Sequence, residues 1–448
     1  MIRRLEDWFE LAARGSTWRR ELLGGATTWL TLAYIVLVNP LVLGAAGMDA
    51  GAVLTASCLG AGFATAAAGI FSRLPVALAP GMGLNFFFAF TLCGAVSAGG
   101  LGLTWQQALA ATFVAGVIFL ATALFRLRSR LMEFVPAPLR HGIAAGIGLM
   151  IAVIGLRWGG ILGGAGPGVY IGVGDFTARP VQVAVVGLLV TAVLWVRRVP
   201  GALLIGAGVS GSLALAFGLT AFEGILAAPP SLAPTFLALD FAGLFSAPTW
   251  IGAVLVLLIV DMFDTVGTLL GVSSCGGLAK DGKVPRAEAA LASDAGGTIL
   301  GSVLGTSTVT TYIESAAGIA AGARTGIASV VVALLLFASS LLHPLLSVVG
   351  GVPQPDGVVL YPVAAPILIL VGVFMMGSLR RIRWERPIEA IPAFCVVVGM
   401  PLTTSITNGI GAGFIAWSLL HLLSGRARKV SLGVVALSAV FVVVFLLH

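Results

Sequence analysis

Four acidic side chains lie in stretches too apolar to carry them without a task. Asp261 and Asp264 sit in the run 249–271, Asp294 in 288–304, and Glu314 in 305–318, which reads GTSTVTTYIESAAG. A carboxylate at the depth of a bilayer costs about 2.5 kcal/mol or more, so such acids are functional by default. Asp261 and Asp264 are three apart and share a helix face. Two carboxylates that close can share a proton, which is one way to build a proton carrier. In 305–318, Val309, Thr310, Thr311 and Tyr312 favour strand, while Ser315, Ala316 and Ala317 suit close helix packing. The expectation is an extended piece that turns into a short helix near Glu314. Non-helical backbone survives at membrane depth only inside protein or against a wet cavity. An interrupted helix with an acid at the break marks the substrate site of a secondary transporter. The plainer alternatives are a surface loop at 305–318 and a structural role for the aspartates as helix caps.

A second constellation is 80–88, PGMGLNFFF. Pro80 cannot continue a preceding helix but suits the first turn of the next. Gly81 and Gly83 let a ligand approach the backbone, and the helix N-terminus offers free N–H donors. Asn85 supplies a donor and an acceptor. Phe86, Phe87 and Phe88 point in different directions, so one can face a planar ligand. The alternative is a glycine-rich kink among helices. Gly83 and Thr311 complete the candidate binding set. Asp294, read as close to a helix end, fits a structural hydrogen bond at least as well as a coupling role. Gly172-Val173-Gly174-Asp175 matches the GxGD pattern of intramembrane aspartyl proteases, but the Tyr-Asp pair such enzymes need is missing from the sequence.

The elements that must position these residues follow from composition. The chain has 448 residues, 58% hydrophobic and 10% charged, with mean hydropathy +1.08. Soluble domains carry about 25% charged residues, so this is an all-α polytopic membrane protein. The net charge of +7 forms no basic stripe with interleaved aromatics, which excludes a nucleic-acid partner. The four cysteines (Cys58, Cys93, Cys275 and Cys395) and four histidines are scattered without ligand spacing, so no metal is expected. Residues 1–20 read as a cytoplasmic interfacial helix, with Ile2, Leu5, Phe9 and Ala12 on one face and Trp8 to the side.

Helices are expected near 21–44, 52–71, 81–93, 105–125, 139–157, 180–196 and 201–219. A second series follows near 249–271, 288–304, 313–323, 326–346, 359–378, 387–423 and 431–447. Extended segments at 75–80 and 308–312 precede the short third helix of each series. The pattern is a 7+7 inverted repeat, 21–246 and 247–448, with about 14 transmembrane elements. Ser57-Cys58-Leu59-Gly60 is matched to Ser293-Asp294-Ala295-Gly296. Arg73, Arg126, Arg128, Arg130, Arg197, Arg198, Lys280, Lys283, Arg286, Arg324, Arg380, Arg381 and Arg383 fall at alternate ends of the spans, placing the N-terminus inside. The run 387–423 is long enough for a hairpin, broken at Pro401 or Asn408-Gly409, which would put the C-terminus outside; a single bent crossing, with fourteen elements and the C-terminus inside, is the expectation.

These motifs, with the segments 24–48, 79–92, 260–272, 305–318 and 389–410, carry a resemblance over nearly the whole length. The chain resembles the AzgA-like purine permeases of the nucleobase transporter superfamily. That resemblance implies a core domain (21–130 plus 247–348) and a gate domain (137–220 plus 358–448). It also implies proton symport of adenine, guanine or hypoxanthine, with Asn85, Asp261, Asp264 and Glu314 as binding residues. Relatives often carry Ala-Tyr or Ala-Phe after the asparagine, where Phe86-Phe87 stands here. The reading is therefore a plasma-membrane purine importer working by alternating access, not an enzyme, with the proton as coupling ion and no other cofactor. Glu314 is expected to read the base edge and the phenylalanines to cover its face. Asp264 is expected to link the proton, with Glu314 and Asp261 also able to carry it. The expected partners are the base, protons and lipid, and a second copy of the chain is admissible. The near rival is a uracil or xanthine symporter of the same fold. The rivals of another class are an uncoupled channel and an intramembrane enzyme.

Overall fold

The computed structural model describes residues 2–96, 100–125, 135–163, 172–275, 277–278, 284–355, 357–426 and 430–447. Of the basic residues used to orient the chain, Arg126, Arg128, Arg130, Lys280 and Lys283 lie outside these residues.

The described chain is helical apart from three two-stranded pairings. In order it runs α1 (Ile2–Trp8), α2 (Trp18–Leu32), α3 (Tyr34–Gly44), α4 (Ala50–Ala67), β1 (Leu78–Pro80), α5 (Met82–Phe86) and α6 (Trp105–Leu124). Then come α7 (Ala137–Trp158), β2 (Leu162–Gly163), β3 (Gly172–Val173), α8 (Arg179–Val196), α9 (Ala202–Ala216) and α10 (Phe241–Ser246). The second half holds α11 (Trp250–Cys275), α12 (Ala287–Leu304), β4 (Val309–Thr311), α13 (Ser315–Ala320), α14 (Gly326–Ser339) and α15 (Leu345–Val349). It ends with β5 (Val352–Pro353), β6 (Val359–Leu360), α16 (Ala365–Met375), α17 (Pro387–Thr403), α18 (Ile406–Leu423) and α19 (Leu432–Leu447). Among the described residues, seven helices are long and apolar enough to cross a membrane, α2 and α3 counting as one continuous span.

The helices pack in two sets. In one, α4 and α6 lie against α12, and α2 and α4 against α14; in the other, α7 lies against α16 and α17, α8 against α9, and α17 against α18. The centre of the first set is a short antiparallel ladder in which β1 pairs β4, with Leu78 opposite Thr311, Ala79 opposite Thr310 and Pro80 opposite Val309. Three residues a side cannot pair all their polar groups, so side chains from the flanking helices finish the task. Thr65 of α4 receives the Leu78 N–H at 2.9 Å and donates to the Leu78 carbonyl at 2.8 Å. Thr298 of α12 does the same to Val309, at 3.0 and 3.1 Å. Each threonine thereby satisfies two buried backbone groups that would otherwise cost about 1–3 kcal/mol apiece. Gly81 is required beside this ladder: a Cβ there would lie 2.5 Å from the Thr310 methyl.

The N-terminal segment differs from expectation. Glu10, at φ +58°, takes the chain out of the helix after Trp8. Phe9 and Leu11 pack on Ile327 while Leu5 stays exposed, and Ala12 is exposed as well. Glu10 instead ties the ends of three elements, with ion pairs to Arg14 at 3.0 Å and to Arg73 and Arg286 at 2.7 Å each. Partial burial pushes this carboxyl up, but hydrogen bonds from Arg286, Arg14 and Arg73 outweigh it and hold the group down at about 2.

The run 387–423 is not one bent crossing. Thr404 at φ +50° closes α17, and the Ser405 side chain caps α18 by accepting the Asn408 N–H at 3.3 Å. Pro401 lies inside α17, and Asn408 and Gly409 lie inside α18, so the break falls between the two expected sites. Gly413 sits against the Pro392 carbonyl and Gly409 against Met400 and Val396, so α17 and α18 fold back antiparallel with glycines at the contact.

Candidate substrate site

The structure sorts the four acids by access. Asp294 and Asp261 are 0% and 1% exposed, whereas Asp264 and Glu314 are half-buried. Glu314 stands between β4 and α13, where the chain leaves the ladder. Its Oε1 accepts the Tyr34 hydroxyl at 3.0 Å, so α3 reaches across to hold it. Asp264 of α11 accepts the Thr310 hydroxyl of β4 at 3.4 Å. The two carboxyls are within electrostatic reach of each other, with Tyr312 close to both. Tyr312 is itself fixed by its hydroxyl, which donates to the Pro80 carbonyl at 2.5 Å. Ser315 receives the Ala77 N–H at 2.9 Å and donates to the Tyr312 carbonyl at 2.7 Å, locking the start of α13 to the lead-in of β1.

The other acids lie behind the ladder. Asp261 accepts Thr298 at 3.4 Å. Asp294 is not at a helix end: it lies in the third turn of the 18-residue α12, fully buried, and accepts Thr265 of α11 at 2.7 Å.

Asn85 is fully buried. Its side-chain oxygen accepts the Ser307 hydroxyl, and its amide nitrogen has no partner among the described residues. It therefore meets the polar chain entering β4 rather than the acids themselves. Among the described residues no hydrogen bond joins it to Asp261, Asp264 or Glu314. Gly83 touches α7, where an added Cβ would meet Ile147 at 2.7 Å, which places it on the seam between the two packed sets. Phe86 and Phe87 are both 0% exposed; Phe86 stacks on Phe90 at 5.5 Å. Thr311 is buried and its hydroxyl has no partner among the described residues. Asp175 caps its own loop through Thr177 at 2.6 Å, far in kind from a proteolytic dyad.

Three contributors escape a motif reading. Tyr34 is one of only four tyrosines in the chain, and its place in the middle of an apolar run was the available signal. Thr265 stands four residues after Asp261, one turn along the same face. Arg140 of α7 lies with its guanidinium 5.4 Å from the Phe263 ring, the neighbour of Asp264, and its Nε is buried and unpaired among the described residues. An apolar groove of about 610 Å³ between α4 and α12, lined by Phe63, Ala67, Phe71, Ala292 and Leu300 among others, has no acid on its walls.

An acid at each side of a paired-strand break, on a helical membrane scaffold, calls for a transporter family. The signature of the permease family Xan_ur_permease matches residues 19–412. The chain belongs to this family of nucleobase permeases. It is 40% identical to the adenine permease AdeP of Escherichia coli K12, covering 98% of this chain and 95% of that one. It is 38% identical to the guanine/hypoxanthine permease PbuG of Bacillus subtilis 168, covering 99% of each. It is 35% identical to the nucleobase transporter PlAzg2 of Paenibacillus larvae, over 90% of this chain and 78% of that one, and falls with the AzgA-like members. Among solved structures, the transmembrane domain of the cyanobacterial bicarbonate transporter BicA superposes with TM-score 0.63 at 18% identity, over 88% of this chain and 97% of that one. That likeness establishes the fold. The permease is a multi-pass membrane transporter, not an enzyme.

Proposed function

We propose that this permease takes up purine nucleobases together with protons by alternating access. The observation that carries the reading is the placement of Glu314 and Asp264, the two more accessible acids, beside β4 of the β1–β4 ladder. Support for a purine comes from relatives named as adenine and guanine/hypoxanthine permeases at 38–40% identity. A carboxylate accepts two N–H bonds from a guanine-like edge, and a carboxyl gives one and takes one at an adenine-like edge. Glu314, steadied by Tyr34, takes that edge. Phe86 and Phe87 supply the apolar wall behind the flat face, Gly83 the room beside α7, and Asn85 and Thr311 the polar floor. Asp264 links the proton, Asp261 supports it from behind, and Glu314 is the alternate carrier. No resident cofactor enters the cycle.

Motion follows from the two packed sets. The set holding α2–α6 and α11–α14 is the core domain and the set holding α7–α9 and α16–α19 the gate domain. The two threonine grips support an inverted repeat, Thr65 and Leu78 corresponding to Thr298 and Val309. The α8–α9 hairpin then corresponds to the α17–α18 hairpin, and α19 stands outside the repeat. On this equivalence Asp294 lies opposite Ala61, three residues from the register suggested by the Ser57 and Ser293 tetrapeptides.

Proteoliposomes given labelled adenine, guanine, hypoxanthine or uracil, with and without an imposed inward proton gradient, test the proposal. Gradient-driven accumulation of at least one purine and none of uracil is expected. Uptake of uracil in preference to every purine, or uptake indifferent to the gradient, would overturn it.

A further inference from the structure

The proton that enters at Asp264 has a built path to the buried Asp294. Thr310 Oγ1 is 3.4 Å from Asp264 Oδ2, Thr265 and Thr310 Oγ1 are 2.8 Å apart, and Thr265 Oγ1 is 2.7 Å from Asp294 Oδ2. These are three contacts in series, from carboxyl through hydroxyl and hydroxyl to carboxyl. Each contact needs one hydrogen between its oxygens, and each threonine hydroxyl owns one. Two hydroxyls cannot fill three contacts. When the Asp264 contact, the longest of the three, closes to a hydrogen bond, the third hydrogen sits on one of the two end carboxyls. With the proton on Asp264, every hydroxyl points toward Asp294; with it on Asp294, every hydroxyl points the other way.

We infer that Asp294 is a proton-holding residue of the transport cycle, joined to Asp264 by a Thr310–Thr265 relay. Transfer is balanced: Asp264 gives its proton to Thr310, Thr310 gives its own to Thr265, and Thr265 gives its own to Asp294. Both hydroxyls end neutral and re-aimed, and one carboxyl proton has moved from the accessible acid to the buried one. Thr265 is fully buried and bridges α11 to both α12 and β4, so the relay runs along the α11 side of β4, the strand that leads to Glu314. The ionisable groups facing this chain are Asp261 from α11, held by Thr298, and Tyr312 and Glu314 from the β4–α13 side. The nearest basic side chain in contact with α11, Arg140, is engaged on the Phe263 ring. Among the described residues the second oxygens of Asp261 and Asp294 are buried and unpaired, which suits groups that hold a proton rather than a permanent charge.

The inference rests on the proton-coupled reading above, and one experiment separates the two. Reconstituted wild type, Thr265→Val, Thr265→Ser and Asp294→Asn are compared for accumulation of the purine the wild type takes up, driven by an imposed proton gradient, and for exchange of labelled against unlabelled base without a gradient. Loss of one coupled proton lowers the attainable accumulation roughly fiftyfold per 100 mV. Thr265→Val and Asp294→Asn are expected to lose that factor while retaining exchange. Thr265→Ser, which restores the hydroxyl, should recover accumulation. Wild-type coupling with full coupling in Thr265→Val, or in Asp294→Asn, would overturn the relay alone. A wild type indifferent to the gradient overturns proton symport and the relay with it. If Thr265→Val does not fold, Asp294→Asn and the serine variant carry the same contrast.

Discussion

The two breaks at the centre of the molecule share a frame and differ in chemistry. Both are three-residue strands that lead into short helices, and both hang on a threonine that grips backbone N–H and C=O together, Thr65 on Leu78 and Thr298 on Val309. In the first break the strand is Leu78-Ala79-Pro80 and the following turn is aromatic, with Phe86, Phe87 and Phe88 fully buried. In the second the strand is Val309-Thr310-Thr311, the Thr310 hydroxyl reaches both Asp264 and Thr265, and Glu314 follows. Even the two grips are unequal, because Thr298 also reaches Asp261 while Thr65 reaches no acid. One strand leads into aromatic side chains and the other gathers hydroxyls and acids. The same backbone frame thus holds both strands while their side chains differ.

The largest effect that would sharpen this contrast is at Glu314. Glu314→Gln keeps the size and removes a charged hydrogen-bonding group, so base binding should weaken by about 2–3 kcal/mol, roughly 30- to 150-fold. Titration of labelled base onto the purified protein reads this directly, and unchanged affinity would remove Glu314 from the site. Next comes Asp264→Asn, which should abolish gradient-driven accumulation, about 2.3 kcal/mol of drive per proton at 100 mV. Full proton dependence in that variant would move the coupling to another acid.

The threonine grips test the symmetric half of the comparison. Thr65→Val and Thr298→Val each strand a buried N–H and C=O, so each should lower thermal stability by about 2 kcal/mol, the low end for two such groups. Only Thr298→Val should also alter the proton dependence of uptake, through Asp261. Equal transport phenotypes in the two would break the division of labour drawn above. The smallest expected effect lies outside the membrane. Glu10 is held ionised well below its ordinary 4.5, at about 2, so its ion pairs contribute fully above about 4.5 and are lost as pH falls through about 2. Glu10→Gln should cost about 1 kcal/mol of stability at neutral pH, and the difference from wild type should shrink on acidification.

Much of the fold was legible because helix length and apolar runs are dictated by the bilayer. The expected helices at 52–71, 105–125, 139–157 and 180–196 lie within a few residues of α4, α6, α7 and α8. The extended lead-ins at 75–80 and 308–312 contain β1 and β4, since Pro80 and the β-branched run 308–311 leave few other conformations. The 387–423 hairpin was legible from its length as the alternative to a bent crossing, but its turn was not, because a left-handed Thr404 followed by Ser405 turns the chain without proline or glycine while Pro401 drew attention elsewhere. At the site, the acids were visible as charges in apolar runs, but their sorting into accessible and buried depends on which face of α11 and α12 meets β4, and periodicity alone does not say. On the proposed repeat the register between the halves shifts by three residues, because that equivalence is carried by a hydroxyl's bonds to backbone, not by matching side chains.

A structure of the protein with its purine bound tests the central claim most directly. The account predicts the base beside the β1–β4 ladder, its polar edge on Glu314 and Asp264 within hydrogen-bonding distance of the base or of a bridging water. A base seated in the apolar groove between α4 and α12, or at the seam with Glu314 still bonded only to Tyr34, would contradict it.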